Sequence, residues 1–441
     1  MAKKRYAIVG TGGRTVMFLE PLATRFKEDG ELVGMCDINP GRLEYYSKQL
    51  TEKFSHPTVA TYLADDFDKM VKQTRPDAII VTTVDTFHHQ YIIRAMELGC
   101  DVITEKPMTI DAPKCRAIYD AIERTGRQLR VCFNYRWTPG TTLVRQLLAE
   151  QTIGQILHVD MQYLLDTSHG ADYFRRWHRD KSNSGGLLVH KSTHHFDLVN
   201  WWIDAVPQEV FAMGRLAFYG RKNAEKRGVK VKYDRYTGHD TQGDPFALDL
   251  AARDGTRELY LEQEKHDGYR RDQNVFGDNI SIEDTMSVMV RYRTDVVLNY
   301  SLNAYLPREG FHVAFNGTKG RIEYQEIHNS HIIAGQANEE LANEMQWHSQ
   351  LVVHPMFAKA YKVEIPEGEG SHGGGDPMLQ EQIFSLQPPA ETLGRNAGHG
   401  QGAASILIGA AANQSMASGQ PVRIEDLCPQ LGNAKQLSEL P

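Results

Sequence analysis

The first 135 residues alternate short apolar, β-forming runs with stretches of helical period. Residues 5–9 read as a strand, 10–15 as a glycine turn and the following residues, to about Asp29, as a helix; 32–36 form a second apolar run. Further along, 67–73 are helical, 77–82 a strand, and 88–98 a helix closed by Gly99 at its C′ position. Residues 101–104, 112–125 and 128–133 continue as strand, helix and strand. Strands this continuously apolar are covered on both faces, and repeated βα units predict a doubly wound parallel sheet over residues 1–135. Right-handed crossovers then place every strand-to-helix turn on one edge of that sheet, where ligands bind.

From about Trp137 the period changes. A helix over 141–150 precedes an alternating strand at 157–163, and 209–215, 285–292, 295–301, 311–316 and 320–324 are further strands. Their half-polar alternation predicts a second domain, residues 136–441, built on a sheet with different coverings on its two faces. Two stretches, 219–279 and 325–375, are rich in charge, Gly and His and read as insertions, which in a compact domain are functional or mobile.

The carboxyl edge of the first sheet carries the chemistry. Gly10, Gly12 and Gly13, followed by Arg14, allow a tight turn whose backbone N–H groups approach a pyrophosphate at a helix N-terminus. Thr15 replaces the third glycine of that fingerprint. About 20 residues on, Asp37 ends the second apolar run, where a carboxylate accepts from the adenosine ribose hydroxyls. This favours NAD, while Arg42 nearby leaves NADP open. Val102-Ile103-Thr104-Glu105-Lys106-Pro107 is a buried strand stopping at a loop that carries a lysine, and Pro107 restrains Lys106. Thr83, Asp85 and His88 belong on the same rim.

Three later clusters add polar groups. Residues 183–197 hold His190, His194 and Asp197 at i, i+4 and i+7, one face of a helix that also carries Trp201 and Trp202. Histidines at i and i+4 are also a metal-ligand spacing, but no third ligand stands at a defined interval, so no metal is expected. Residues 166–178 mix Tyr173 and Trp177 with hydrogen-bonding groups, a composition that grips sugar rings. The run Ser371-His372-Gly373-Gly374-Gly375-Asp376 precedes a helix at 378–385, and its glycines let His372 and Asp376 come close to a ligand.

Composition narrows the partners. The chain of 441 residues is 41% hydrophobic and 24% charged, with no apolar run long enough to span a bilayer. A net charge of −7 gives no electrostatic footprint for nucleic acid. Five scattered cysteines without C-x-x-C spacing fit reduced thiols in a cytoplasmic protein.

Taken together, Gly10-Thr11-Gly12-Gly13, Asp37, Thr83 with His88, the segment from Gly99 to Pro107, Asn134-Tyr135-Arg136-Trp137, Gly185-Gly186 with His194 and Asp197, and Gly317-Thr318-Lys319-Gly320 resemble the Gfo/Idh/MocA family of sugar and inositol oxidoreductases. The resemblance implies a Rossmann domain joined to an α+β domain whose open, mainly antiparallel sheet also serves a homo-oligomer, a dimer or tetramer. It implies a cofactor site of Gly10, Gly12, Gly13, Arg14, Asp37, Arg42, Thr83, His88, Glu105 and Lys106. Lys106 would meet both nicotinamide and substrate, with His194 as the base for a hydroxyl proton. Most relatives carry Asp where this chain has His190, which makes His190 a hydrogen-bond partner of substrate or a sharer of that proton. Asn134, Arg136, Tyr173, Trp177, Asp197, His372 and Asp376 complete the expected substrate wall. The expected activity is NAD-dependent oxidation or reduction of a secondary alcohol, C3 favoured, of a sugar, glycoside or cyclitol. Two alternatives stand beside it: a glycosidase or lyase using NAD catalytically through a 3-keto intermediate, and a non-catalytic nucleotide-binding sensor or scaffold.

Overall fold

Six parallel strands, β1 (Lys4–Val9), β2 (Gly30–Asp37), β3 (Ala60–Leu63), β4 (Ala78–Val81), β5 (Asp101–Glu105) and β6 (Leu129–Cys132), pair in the order β3-β2-β1-β4-β5-β6. They belong to a computed structural model that describes residues 2–332, 348–368 and 372–441. Side chains alternate across a strand, so Ala7, Val9, Ile79 and Val81 enter one core while Tyr6, Ile8, Ala78 and Ile80 enter another. Burial on both faces explains why these strands read as unbroken apolar runs. The edge strand β3 lay outside the expectation, since its residues are exposed or half-exposed and give no apolar signal. The first helix is shorter than its pattern, Val16–Ala23, after a 3-10 turn at Gly13–Thr15.

The second sheet has nine strands: β7 (Ile156–Asp166), β8 (Pro207–Arg215), β9 (Thr285–Tyr292), β10 (Val297–Leu306), β11 (Gly310–Gly317), β12 (Gly320–Ile327), β13 (His348–Pro355), β14 (Tyr361–Val363) and β15 (Val422–Arg423). Their order is β14-β13-β12-β11-β7-β10-β9-β8-β15, antiparallel except for the β7–β10 pair. Strict alternation of buried and exposed positions along β9 marks a sheet covered on one face. The stretch 325–375 is thus not a pure insertion: β12 runs on into it, and β13 and β14 extend the sheet there. Only Leu351 and Val353 of β13 are fully buried, too few for an apolar period to stand out.

The end of the chain returns to the first sheet. Leu379, Ile383 and Phe384 of the Gly375–Phe384 helix join the core under β1, where Phe384 meets the Tyr6 ring edge-on at 5.3 Å. The His399–Ser418 helix is buried through most of its length against both halves. No helix among the described residues is long and apolar enough to cross a membrane.

Candidate active site

A cavity of about 490 Å³ opens between the carboxyl edge of the first sheet and the covered face of the second. Lys106 and His194 both line it, together with Arg14, Asn134 and Tyr135 on one side and Tyr173, Lys191 and Glu309 on the other. Lys106 follows the last residue of β5, and the Lys106–Pro107 peptide is cis. Its ammonium donates to the His190 carbonyl at 3.3 Å. Burial pulls the Lys106 amine below its usual value, with Asp85 and Glu105 opposing that drop. The His194 ring stacks on Tyr135, centroids 4.4 Å apart.

The helix expected to carry His190, His194 and Asp197 is two helices. Gly185 (φ +69°) and Gly186 (φ +80°) turn the chain into a short Leu187–His190 helix, and a break at Lys191 and Ser192 precedes the Thr193–Ile203 helix. The three side chains still face the N-terminal residues, each with a different neighbour. Nδ1 of His190 lies 2.5 Å from Asp85 Oδ2, directly behind Lys106. Asp85 thus brings a carboxylate from the first sheet to the His190 ring. Burial raises the Asp85 carboxyl well above its usual range and, with Lys106 adding to the effect, drives His190 well below its own.

Arg136 and Asp197 do not form substrate wall. Arg136 donates to both Asp197 oxygens, Nε at 2.8 Å and Nη2 at 2.6 Å, with neither side chain meaningfully exposed. Its remaining nitrogen is satisfied by Gln401 and the Gly394 carbonyl, so the pair anchors the Thr193–Ile203 helix to the end of β6. His88 is likewise a brace: buried, it sets its ring nitrogens 2.8 Å from Pro107 O and 3.1 Å from Thr83 O, tying the ends of β4 and β5. Thr83 sits half-buried on the rim beside Gly10.

Asn134 and Asp376 meet as expected, Nδ2 to Oδ1 at 2.7 Å, and Arg14 links Asp376, at 3.4 Å, to Glu105, at 2.5 Å. One ionic chain therefore joins the glycine turn, the end of β5 and the 372–376 segment. His372 begins a short helix, and its side chain lies outside the described residues. Tyr173 reaches the cavity and meets His190 edge-on at 5.5 Å; Trp177 stacks on His178 and meets His190 at 5.7 Å.

At its far end the cavity holds an ion cluster that sequence spacing did not disclose. Glu309 accepts from His169 Nδ1 at 2.8 Å and from Tyr163 at 3.2 Å. Burial works against a charge on His328, yet bonds to Glu309 and Glu326 raise it to about 9. Burial lowers Lys191 to about 8 against the pull of Glu309. Lys191 lies over the Tyr163 ring at 4.8 Å. Glu309 and His328 lie just outside strand ends, Lys191 in the break between two helices and His169 at the start of another, so no periodicity linked them in the sequence.

The glycine turn fits a dinucleotide. Gly10 has φ +90°, and a Cβ there would stand 2.6 Å from Thr83 N, so only glycine closes this crossing. Thr15, in place of the third glycine, turns its hydroxyl back to Gly10 O at 2.8 Å. Gly12 has open space where a Cβ would sit, and the buried Thr11 hydroxyl has no partner among the described residues. Asp37 accepts from Thr11 N at 2.5 Å and Asn39 N at 2.8 Å, and Arg42 stands 3.6 Å from it. No group of three or more His, Cys, Asp or Glu side chains among the described residues is placed to hold a metal.

Family models match this architecture along most of the chain. Residues 4–133 match the NAD-binding Rossmann fold of the oxidoreductase family Gfo/Idh/MocA, and residues 145–424 match its C-terminal alpha/beta domain. The chain belongs to the Gfo/Idh/MocA family. It is therefore an oxidoreductase with an NAD-binding Rossmann domain. YteT of Bacillus subtilis (strain 168), which carries an oxidoreductase name, is 34% identical over 420 residues, 93% of this chain and 95% of that one. D-glucoside 3-dehydrogenase of Escherichia coli (strain K12) is 29% identical over 130 residues, 30% of this chain and 35% of its own. The aldose-aldose oxidoreductase of Caulobacter crescentus shares the fold, with TM-score 0.62 at 16% identity, covering 96% of this chain and 100% of that one.

Proposed function

We propose that this family member oxidises or reduces a secondary alcohol, C3 favoured, of a sugar, glycoside or cyclitol. The observation that carries the reading is the convergence of Lys106, from the end of β5, and His194, from beyond β7, on one cavity. That cavity is lined by hydrogen-bonding groups and by the Tyr135 and Tyr173 rings, which suits a polyhydroxylated ring. In this reading residues 1–135 hold the cofactor and residues 136–441 shape the substrate side. Bound NAD supplies the hydride acceptor or donor.

The chain's own residues do the rest. Lys106 sets its ammonium against the substrate oxygen, and His194 takes the hydroxyl proton at Nε2, its Nδ1 being buried. The His190 carbonyl accepts from Lys106 and keeps the lysine oriented, while the His190 ring bonds Asp85. Asn134 and Asp376 fix the adjacent hydroxyls. Similarity to a D-glucoside 3-dehydrogenase over 130 residues supports C3.

Exposed Met213 (67%) and Met289 (50%) on the open face of the second sheet support a homo-oligomer. Five buried cysteines outside any disulfide support a reducing, cytoplasmic setting. The test is a screen of glycosides and cyclitols with NAD, read at 340 nm. NADH accumulating with a glycoside supports a dehydrogenase. Product release at constant NAD supports a redox-neutral lyase or glycosidase, and no reaction with any candidate by either readout contradicts the assignment.

A further inference from the structure

The stretch 219–279 leaves the second sheet and folds back over the glycine turn of the first. Tyr260, after the Asp254–Leu259 helix, accepts from Gly13 N–H at 2.8 Å through its hydroxyl. Gln263 O accepts from Asn39 Nδ2 at 3.0 Å, and a Cβ on Gly41 would run into the Gln263 amide at 1.7 Å. Asp267, at the end of the Glu264–Asp267 helix, pairs with Arg42, the guanidinium that also faces Asp37. The stretch is held in turn by its own ion pairs. Arg235 grips Glu264 at 2.7 Å and Asp272 at 2.8 Å, and Arg271 lies over the Tyr260 ring at 5.2 Å while bonding Asp172 at 3.1 Å.

These contacts fall at two chemically distinct points. An N–H at the entry to the first helix is the donor a pyrophosphate oxygen takes, and the Tyr260 hydroxyl now occupies it. A phenol both donates and accepts, so Tyr260 can turn its O–H onto that phosphate oxygen. Arg42 beside Asp37 is the cation a 2′-phosphate needs, and Asp267 holds it while adding a second negative charge at the ribose.

We propose that residues 254–271 are the outer wall of the NAD site, with Tyr260 closing on the pyrophosphate and Asp267, through Arg42, selecting against a 2′-phosphate. The proposal rests on the NAD-binding assignment and needs no substrate. It is tested on the full-length protein by NADH and NADPH fluorescence titration and stopped-flow displacement, so failure of the sugar reading leaves it untouched.

Tyr260 is half-exposed, whereas the Asp267 side chain is only 9% exposed beside Arg42, so its replacement frees a buried guanidinium. Tyr260→Ala is expected to speed NADH release roughly tenfold or more, the worth of a hydrogen bond to a charged group, with Tyr260→Phe intermediate. Asp267→Ala is expected to tighten NADPH roughly tenfold or more relative to NADH, the scale of a hydrogen bond between the freed Arg42 and a charged phosphate. A cooperative thermal unfolding transition in the NAD-free variants shows that they fold, and Asp267→Asn stands in if Asp267→Ala does not. If Tyr260→Ala folds poorly, Tyr260→Phe carries that arm alone. NADH release at the parent rate, or an unchanged preference between the two dinucleotides in Asp267→Ala, overturns the proposal.

Discussion

Asp85 and His190 show how one side chain's setting is decided far from it in sequence. Asp85 stands at the carboxyl end of β4, on the rim that the βα pattern identified, but its pairing across 105 residues with His190 needs the fold. Its carboxylate supports the charge on Lys106 against burial. Asp85→Asn removes that support, so the Lys106 amine falls further and the basic limb of the pH profile of kcat/KM moves to lower pH. Lys106→Met is expected to cost roughly a thousandfold or more in kcat while NADH binding persists, separating chemistry from cofactor capture. His328 makes a prediction about stability. Raised to about 9 by Glu309 and Glu326, it stabilises the fold fully below about pH 6.5, and that contribution fades as pH climbs through 9. Urea unfolding of His328→Gln should therefore show a deficit near neutrality, on the order of 3 kcal/mol, that closes by about pH 10.

Elements were legible where burial was uniform. The two-faced core made β1, β2, β4, β5 and β6 apolar and readable, whereas β3 at the edge and β13 with its mixed surface left little pattern. Spacing places His190, His194 and Asp197 on one helix, but the chain breaks after His190, where Ser192 N–H turns back to Leu187 O at 2.8 Å, a contact no residue type announces. That break lets the Thr193–Ile203 helix dock through Arg136 and Asp197. A buried ion pair broken on one side leaves an unpaired charge, so Asp197→Ala should destabilise the protein by about 3–5 kcal/mol in urea unfolding. Since neither residue lines the cavity, dinucleotide affinity of the folded fraction should stay within about twofold of the parent.

At the scale of the whole molecule, two sheets meet along one cavity, with the Gly375–Phe384 helix packed under the first and the His399–Ser418 helix buried against both. The proposed homo-oligomer would use the face of the second sheet on which Met213 and Met289 are exposed. Met213→Glu should reduce the mass measured by light scattering to that of a smaller assembly. The meeting of Lys106 and His194 is tested most directly by single-turnover absorbance at 340 nm, mixing the NAD-loaded protein with a glucoside carrying protium or deuterium at C3. NADH should appear in a burst slowed by deuterium and absent in Lys106→Met and His194→Ala. A burst that neither substitution removes, or none from any glycoside or cyclitol tried, would contradict it.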